Sequence, residues 1–212
     1  MTVAGIILAG GRSSRMGRPK ATMPIHGKAL LRHVLDRARP QVATLTISSN
    51  LPLDVSEPVL ADPMPGFPGP LAGVLAGLEW AACLPERPTL LATFPCDTPA
   101  IPDHLVARLL AARTEQCADV AVATSGGRVH PVCALWPVSL GPDVRAELLR
   151  GERGVWRLVQ GYRVAEVSFP FEGLDPFFNV NTPDDVEAVE RALSALSSGC
   201  AAPGPSPGRR AA

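Results

Sequence analysis

The sequence predicts an α/β protein in which a mostly parallel sheet has helices on both faces. Short apolar segments rich in β-branched residues alternate along the chain with segments of helical period. The first apolar segment, Val3–Leu8, ends abruptly at Ala9-Gly10-Gly11. A strand that is apolar throughout and stops at glycines is typical of a strand buried in the middle of a parallel sheet.

The N-terminal half contains five further segments with clear periodicity. Apolar residues at positions 30, 31, 34, 35 and 38 recur with a helical period, so they predict a helix over Lys28–Arg39. A later stretch is filled with alanine and other small residues and predicts a second helix. The elements predicted after the first helix are strand Val42–Ser48, strand Val59–Ala61, helix Leu71–Leu84 and strand Thr89–Phe94.

The C-terminal half continues the alternation. Helical periodicity over Asp103–Arg113 begins at an acidic residue, so Asp103 is the predicted N-cap. Thr182 is the predicted N-cap of the last helix, which continues from Pro183 to about Leu196. The other predicted elements are strands Asp119–Thr124 and Val129–Trp136 joined by a glycine turn, short helices over 144–149 and 155–159, and strand Arg163–Phe169.

Composition narrows the class of protein. The 212 residues are 46% hydrophobic, which predicts one domain with a full core over residues 1–196. Residues 197–212, rich in Ser, Gly, Ala and Pro, are predicted to be a disordered tail. No apolar run reaches the roughly 18 residues of a membrane span, and no basic signal region opens the chain. Five cysteines without a C-x-x-C pair indicate reduced thiols, so we expect a cytoplasmic protein that binds no membrane.

Charge limits the partners. Lys and Arg total 20 and Asp and Glu total 20, which gives a net charge of +0. Proteins that bind nucleic acid usually carry a basic excess, so we expect no nucleic-acid partner. A small polyanion remains possible, because it needs only a local group of donors.

The loop after the first strand has the residues of a phosphate site. From Leu8 to Lys20 the sequence reads L-A-G-G-R-S-S-R-M-G-R-P-K. Glycines let backbone N–H groups approach phosphate oxygens closely, and Arg15 and Lys20 add charged donors. The spacing fits neither G-x-x-x-x-G-K-S/T nor G-x-G-x-x-G. Ligands of parallel sheets bind outside the carboxyl ends of strands, so the predicted site is formed by the loops after Leu8, Ser48, Ala61 and Phe94.

This loop resembles the signature L-A-G-G-x-S-x-R-M-G-x-x-K of nucleotidyltransferases that activate molybdopterin and sugars. Four further segments resemble one branch, the molybdenum cofactor guanylyltransferases of the MobA type: G-P-L-A-G at 69–73, P-C-D-T-P at 95–99, H-P at 130–131 and N-V-N-T-P at 179–183. The resemblance implies a single Rossmann-like, three-layer α/β domain. It also implies transfer of GMP from GTP to the terminal phosphate of molybdopterin carrying molybdenum, which forms the molybdopterin guanine dinucleotide cofactor and releases pyrophosphate. The implied cofactor is Mg2+.

The same resemblance implies roles for individual residues. Arg15, Lys20 and Asp97 are the implied catalytic residues. Asp97 follows a buried strand and is the implied Mg2+ ligand, in keeping with the preference of that ion for oxygen. The residues implied to bind the nucleotide are Leu8, Ala9, Gly10, Gly11, Lys20, Ser48, Asp62 and Asp97.

The implied acceptor side contains Asn179, Asn181 and His130. Alternate residues of an extended segment point the same way, so the two asparagines are expected to face the site together. Ser48 departs from the family pattern, in which an asparagine is common at this position within N-x-N. Asn50 matches the second asparagine of that pattern.

Other functions stay open from the sequence. Molybdopterin cytidylyltransferases and sugar-phosphate nucleotidyltransferases share the signature loop, and a non-catalytic nucleotide-binding module would keep the same fold. The cytidylyltransferase branch differs at the L-A-G-G opening and the G-P-L-A-G segment, so the resemblance implies guanine for this chain. No Ser-His-Asp or Cys-His pattern suggests a covalent intermediate, so the expected step is direct attack by the acceptor phosphate. We expect a monomer whose partners are GTP, Mo-molybdopterin and proteins that handle molybdopterin or mature molybdoenzymes.

Overall fold

The computed structural model describes residues 2–10, 20–64 and 69–198. Its strands are β1 (Val3–Leu8), β2 (Pro24–Ile25), β3 (Lys28–Ala29), β4 (Thr44–Ser48), β5 (Val59–Leu60), β6 (Leu90–Pro95), β7 (Val120–Ser125), β8 (Arg128–Pro137) and β9 (Val164–Ser168). Its helices are α1 (Leu30–Ala38), α2 (Pro70–Ala82), α3 (Leu105–Glu115), α4 (Gly141–Leu149), α5 (Val155–Val159) and α6 (Pro183–Ser198). Short 3-10 turns lie at Lys20–Thr22, Arg39–Gln41 and Val138–Leu140.

The main sheet has seven strands in the order β5-β4-β1-β6-β8-β7-β9. Strand β8 is antiparallel to both of its neighbours, whereas the other neighbouring pairs of this seven-stranded sheet are parallel. The predicted mostly parallel sheet is confirmed. Because β8 runs in the opposite direction, its beginning meets the carboxyl ends of β4, β1, β6 and β7 at one edge, where such sheets bind ligands.

Helices cover both faces of this sheet. On one face Ile7 packs in a core with Leu35 of α1 and Leu105 of α3. On the other face Ile6 packs with Leu75 of α2 and with residues of α4 and α5. Successive residues of β1 point to opposite faces, which is why a strand buried on both sides is apolar throughout. The three-layer α/β architecture is confirmed.

The hairpin formed by β2 and β3 was not predicted. Each strand has two residues, too few to show an alternating pattern, and the turn between them places His26 and Gly27 at φ values of 49° and 73°. The hairpin packs against α6 in a small core of its own. It therefore joins the chain just after Lys20 to the helix that follows Asn181.

The predicted N-cap at Asp103 is wrong. Helix α3 begins at Leu105, His104 occupies the N-cap position, and no side chain caps it. Asp103 instead accepts a hydrogen bond of 2.9 Å from Nη1 of Arg37 on α1. A charged partner from a distant helix holds the carboxylate away from the backbone N–H groups that it was predicted to cap.

The predicted cap at Thr182 is confirmed. Its Oγ1 accepts a hydrogen bond of 3.2 Å from the N–H of Asp185, whose carboxylate accepts hydrogen bonds of 2.8 Å from the N–H groups of Thr182 and Asn181. This reciprocal arrangement is a capping box. Residues 199–212, most of the predicted tail, lie outside the described residues. Within the described ranges, no helix combines the length and hydropathy that a bilayer span requires.

Candidate active site at the carboxyl edge of the sheet

An open cleft of about 630 Å³ lies at the carboxyl edge of the sheet. The ends of β1, β4 and β6, the beginning of β8 and the segment before α6 form its walls. Gly11 and Arg15, both assigned to the site by resemblance, lie outside the described residues. The other residues predicted for the site all line the cleft: Leu8, Ala9, Gly10, Lys20, Ser48, Asp62, Asp97, His130, Asn179 and Asn181.

The end of β1 is fixed between its two neighbours. The N–H of Ala9 donates to the carbonyl of Ser48 at 2.8 Å, and the N–H of Cys96 donates to the carbonyl of Leu8 at 3.2 Å. The chain crosses from β1 to β4 on one side, whereas β6 lies on the other. This is the topological switch point of the sheet, and Gly10 leaves β1 there.

Helix α2 approaches this end of the sheet unusually closely at Gly73. A Cβ atom on Gly73 would lie 2.9 Å from Cδ2 of Leu8 and 2.9 Å from Oγ of Ser48. The helix begins after Gly69, whose φ of 147° favours glycine, with Pro70 at its first turn. The G-P-L-A-G segment therefore serves to start α2 and to press it against β1 and β4.

Asp62 is held by a reciprocal pair of hydrogen bonds with Asn50. Nδ2 of Asn50 donates to Oδ2 of Asp62 at 2.7 Å, and the N–H of Asp62 donates to Oδ1 of Asn50 at 2.9 Å. The buried hydroxyl of Ser48 lies 3.5 Å from Oδ1 of the same carboxylate. Asn50 therefore orients Asp62 in the cleft wall, a role that the sequence did not indicate.

Lys20 lies at the centre of the cleft between two predicted site residues. Its Nζ donates to Oδ2 of Asp97 at 3.2 Å and to Oδ1 of Asn181 at 2.5 Å. The side chains of Lys20 and Asp97 are 24% and 21% exposed, so both are within reach of a ligand. An ammonium beside a carboxylate at a strand end can bind a phosphate with one group and a hard cation with the other.

The segment Asn179-Val180-Asn181 is tied to the end of β6. The N–H of Val180 donates to the carbonyl of Asp97 at 2.9 Å, and the buried hydroxyl of Thr98 donates to Oδ1 of Asn179 at 2.7 Å. Nδ2 of Asn181 donates to the carbonyl of Asn179 at 3.2 Å. Both asparagines thus reach the same cleft, and Thr98 is a positioning residue that the sequence did not reveal.

His130 lies in the opposite wall of the cleft, on β8. Its Nε2 is 2.7 Å from Oγ of Ser125, and its ring stacks on Phe177 with centroids 4.7 Å apart. The hydroxyl of Ser125 also lies 2.8 Å from both carboxylate oxygens of Asp175. Burial lowers the pKa of His130. The nearby carboxylate of Asp175 acts in the opposite direction but does not offset the effect of burial.

The buried cysteines are poor nucleophiles. Burial raises the pKa of Cys96 to about 12, and burial also raises the pKa of Cys133 well above its usual range. The thiolate is the reactive form of cysteine, so both side chains stay protonated and unreactive at neutral pH. Neither cysteine is therefore suited to forming a covalent intermediate.

These features define a class of protein. A mostly parallel sheet whose switch point carries a glycine, a lysine and a carboxylate is typical of a nucleotide-binding α/β domain. Residues 5–167 match the family described as MobA-like NTP transferase domain. The chain belongs to this family, and the resemblance drawn from its motifs is confirmed.

Individual relatives agree with this assignment. The chain is 48% identical to a molybdenum cofactor guanylyltransferase of Rhodopseudomonas palustris, over 88% of this chain and 91% of the relative. It is 44% identical to a protein of the same name from Rhizobium leguminosarum, over 92% of this chain and 94% of the relative. A molybdopterin-guanine dinucleotide biosynthesis protein A from Archaeoglobus fulgidus shares the fold, with a TM-score of 0.71 at 21% identity over 91% of this chain and 99% of that one.

Proposed function

We propose that this chain transfers GMP from GTP to the terminal phosphate of molybdopterin carrying molybdenum. A phosphate oxygen of the acceptor forms a bond to the α-phosphorus of GTP, the bond from that phosphorus to the β-phosphate breaks, and pyrophosphate leaves. The observation that carries the proposal is the Lys20–Asp97 pair at the centre of the cleft. Relatives that are 48% and 44% identical are named molybdenum cofactor guanylyltransferases, which supports guanine and molybdopterin as the substrates.

The residues at the two ends of the cleft differ, which supports a separate binding site for each of two substrates. Gly10, Ser48 and Asp62 lie toward β4 and β5, and His130 lies on β8, on the other side of β6. Neighbouring strands are about 4.8 Å apart, so a nucleotide and an acceptor have room on either side of Asp97. We place GTP at the end toward β4 and the acceptor at the end toward β8.

The reaction brings two anions together, so its main demands are charge neutralisation and alignment. Lys20 would bind phosphate oxygens with its ammonium group, at the position between the two substrates. The acceptor phosphate is already ionised at neutral pH, so it needs no general base. The backbone N–H groups after Leu8 would hold the nucleotide in line for attack.

The donors present fit a Mg2+ ion bound through GTP. Asp97 and Asn181 offer oxygen atoms, and no group of three His, Cys, Asp or Glu within the described part of the chain could enclose a metal. Mg2+ commonly keeps several waters and binds one or two carboxylates together with substrate phosphates. Asp97 would therefore hold the ion, which when bound neutralises phosphate charge.

A nucleotide competition experiment tests this function. The protein receives GTP or CTP with Mo-molybdopterin, and pyrophosphate release is followed over time. We expect kcat/KM for GTP to exceed that for CTP by about a hundredfold, since a site that binds the edge of a base rejects one lacking those groups. Equal turnover of CTP, or no turnover with either nucleotide, would contradict the proposal.

A matched pair of variants connects the activity to the cleft. Asp97→Ala should abolish pyrophosphate release, whereas Asp103→Ala should leave it near the level of the parent, because Asp103 is 77% exposed on the surface and pairs with Arg37. Unchanged release by Asp97→Ala at ordinary Mg2+ would remove this residue from the active site. Circular dichroism on both variants checks that the fold is kept.

A further inference from the structure

The β7–β8 hairpin carries an enlarged bulge that faces the cleft. Val122 lies opposite Ala134, but the next residue, Ala123, lies opposite His130. Residues 131–133 of β8 therefore have no opposite residues on β7, and the stretch begins with Pro131, which lacks an N–H. Residues 128–133 all line the cleft. The bulge thus turns the beginning of β8 into a cleft wall and carries His130 with it.

The turn of this hairpin comes directly after Ser125, a buried residue whose side chain has two partners. Gly126 and Gly127 have φ values of 52° and 74°, as a two-residue hairpin turn requires. Just before them, Ser125 is a residue only 2% exposed, and its side chain contacts both His130 and Asp175. Asp175 is itself anchored, because one of its oxygens accepts a hydrogen bond of 2.8 Å from the N–H of Phe177.

The hydrogen-bond chemistry of this group fixes the protonation pattern of the imidazole. A hydroxyl has a single hydrogen to donate, and an ionised carboxylate can only accept. Ser125 must therefore donate to Asp175, so its oxygen accepts from Nε2 of His130. The proton of a neutral His130 then sits on Nε2 and its lone pair on Nδ1. Burial lowers the pKa of His130, which agrees with a neutral ring at pH 7.

We propose that Ser125 and Asp175 are positioning residues that hold His130 in the Nε2–H form, so that its Nδ1 accepts a hydrogen bond from the acceptor substrate. The group recognised is an N–H or NH2 donor of a nitrogen heterocycle, which a pterin provides. This inference rests on the proposed function for the identity of the acceptor. It concerns neither the phosphates, which we place at Lys20 between the two substrates, nor the nucleotide, which we place at the end toward β4.

The arrangement differs from a hydrolytic Ser-His-Asp triad. There the aspartate contacts histidine and the histidine accepts the serine proton. Here Asp175 contacts Ser125, and the serine hydroxyl is directed to the carboxylate. Ser125 is also a buried residue, so its hydroxyl is poorly placed to act as a nucleophile. The three side chains are therefore suited to orienting a ring, not to covalent catalysis.

Nitrogen NMR tests the positioning role without any substrate. The chain has four histidines, and long-range proton–nitrogen correlations on the 15N-histidine-labelled protein report the protonated ring nitrogen of each. The His130→Asn variant identifies the signal of His130. We expect Nε2–H in the parent and a mixture of both neutral forms in Ser125→Ala. A ring protonated on Nδ1 in the parent, or an unchanged ring in Ser125→Ala, would overturn the inference.

Kinetics test the recognition role. The amide of asparagine reaches about as far as Nδ1 of histidine, whereas that of glutamine reaches about as far as Nε2. His130→Asn should therefore keep the KM for Mo-molybdopterin within about threefold of the parent value. His130→Gln and Ser125→Ala should raise this KM about tenfold, which corresponds to the loss of one hydrogen bond. The KM for GTP should stay unchanged in all three variants. Ser168→Ala, at an exposed position on β9, is the matched control.

The outcomes separate this inference from the proposed function. If the parent protein releases no pyrophosphate with GTP and Mo-molybdopterin, the proposed function is contradicted, whichever ring nitrogen of His130 carries the proton. A KM for GTP that rises as much as the KM for Mo-molybdopterin places His130 on the nucleotide side and overturns the inference. Equal KM values for Mo-molybdopterin in His130→Asn and His130→Gln also overturn it, because an amide at the position of Nδ1 then serves no better than one at the position of Nε2.

Discussion

The Nζ of Lys20 lies 3.2 Å from Oδ2 of Asp97, a residue 77 positions further along the chain. The ammonium group is therefore paired with the carboxylate that we propose as the cation ligand. A divalent ion at Asp97 would compete with the ammonium group of Lys20 for this carboxylate, and a bound phosphate would compete with the carboxylate for the ammonium group. Metal binding and nucleotide binding should consequently be coupled.

Removing the ammonium should expose the carboxylate to a metal. We expect Lys20→Met to bind Mn2+ about tenfold more tightly than the parent without nucleotide, because Asp97 loses its competing cation, and to bind GTP at least tenfold more weakly. Electron paramagnetic resonance of free Mn2+ and calorimetry with GTP measure the two affinities. The matched control is Lys28→Met, since Lys28 is the other lysine of the chain and pairs with Asp36 at the surface. Equal Mn2+ affinity in Lys20→Met and the parent would refute the competition.

Gly73 should be intolerant of a single added methyl group. In Gly73→Ala the new Cβ would lie 2.9 Å from buried atoms of Leu8 and Ser48, so α2 or the strand ends must shift. We expect a loss of about 1–3 kcal/mol in the free energy of unfolding, together with weaker GTP binding. Urea unfolding with a tryptophan signal provides the first measurement.

Gly141→Ala is the matched control for that substitution. A Cβ there would lie 3.8 Å from Cβ of Leu78, which is ordinary contact, and the position has a helical backbone. Its unfolding free energy should stay within about 0.5 kcal/mol of the parent. A loss in Gly141→Ala as large as that in Gly73→Ala would mean that helix packing at Gly73 is not specially tight.

The capping box at Asp185 should make stability fall in acid. Burial raises the pKa of this carboxyl, but hydrogen bonds from the N–H groups of Asn181 and Thr182 outweigh burial and lower the pKa overall. A lowered pKa contributes stability above the ordinary value, about pH 4, and the contribution is lost as pH falls through the folded-state pKa. Asp185→Asn should therefore destabilise the protein more at pH 6 than at pH 3, as measured by urea unfolding at each pH. An equal loss at both pH values would contradict this, and Asp184→Asn, in the same helical turn, is the control.

The sequence was sufficient for the features encoded by continuous segments. Val3–Leu8 is apolar at every position because β1 is buried on both faces, and the cap at Thr182 depends on residues three positions apart. The same holds for the loop-and-strand motifs that define the family. Each of these signals lies within one stretch of chain, where periodicity and spacing are visible.

Features that depend on distant partners were missed. The Asn50–Asp62 pair joins residues that follow two neighbouring strands, β4 and β5, and the contact between Ser125 and Asp175 joins residues 50 positions apart. Asp103 looked like a cap, but Arg37 on α1 competes for its carboxylate. In each case the hydrogen-bond partner comes from another part of the chain, so the local sequence pattern does not reveal it.

Transfer of isotope from labelled GTP tests the central claim most directly. The protein is mixed in single turnover with Mo-molybdopterin and with GTP carrying label in the α-phosphate or, separately, in the γ-phosphate. Guanylyl transfer predicts that the α-label appears in a molybdopterin dinucleotide and that the γ-label leaves as pyrophosphate, with both events lost in Asp97→Ala. Appearance of the γ-label on the acceptor, or of α-labelled dinucleotide at an undiminished rate in Asp97→Ala, would contradict it.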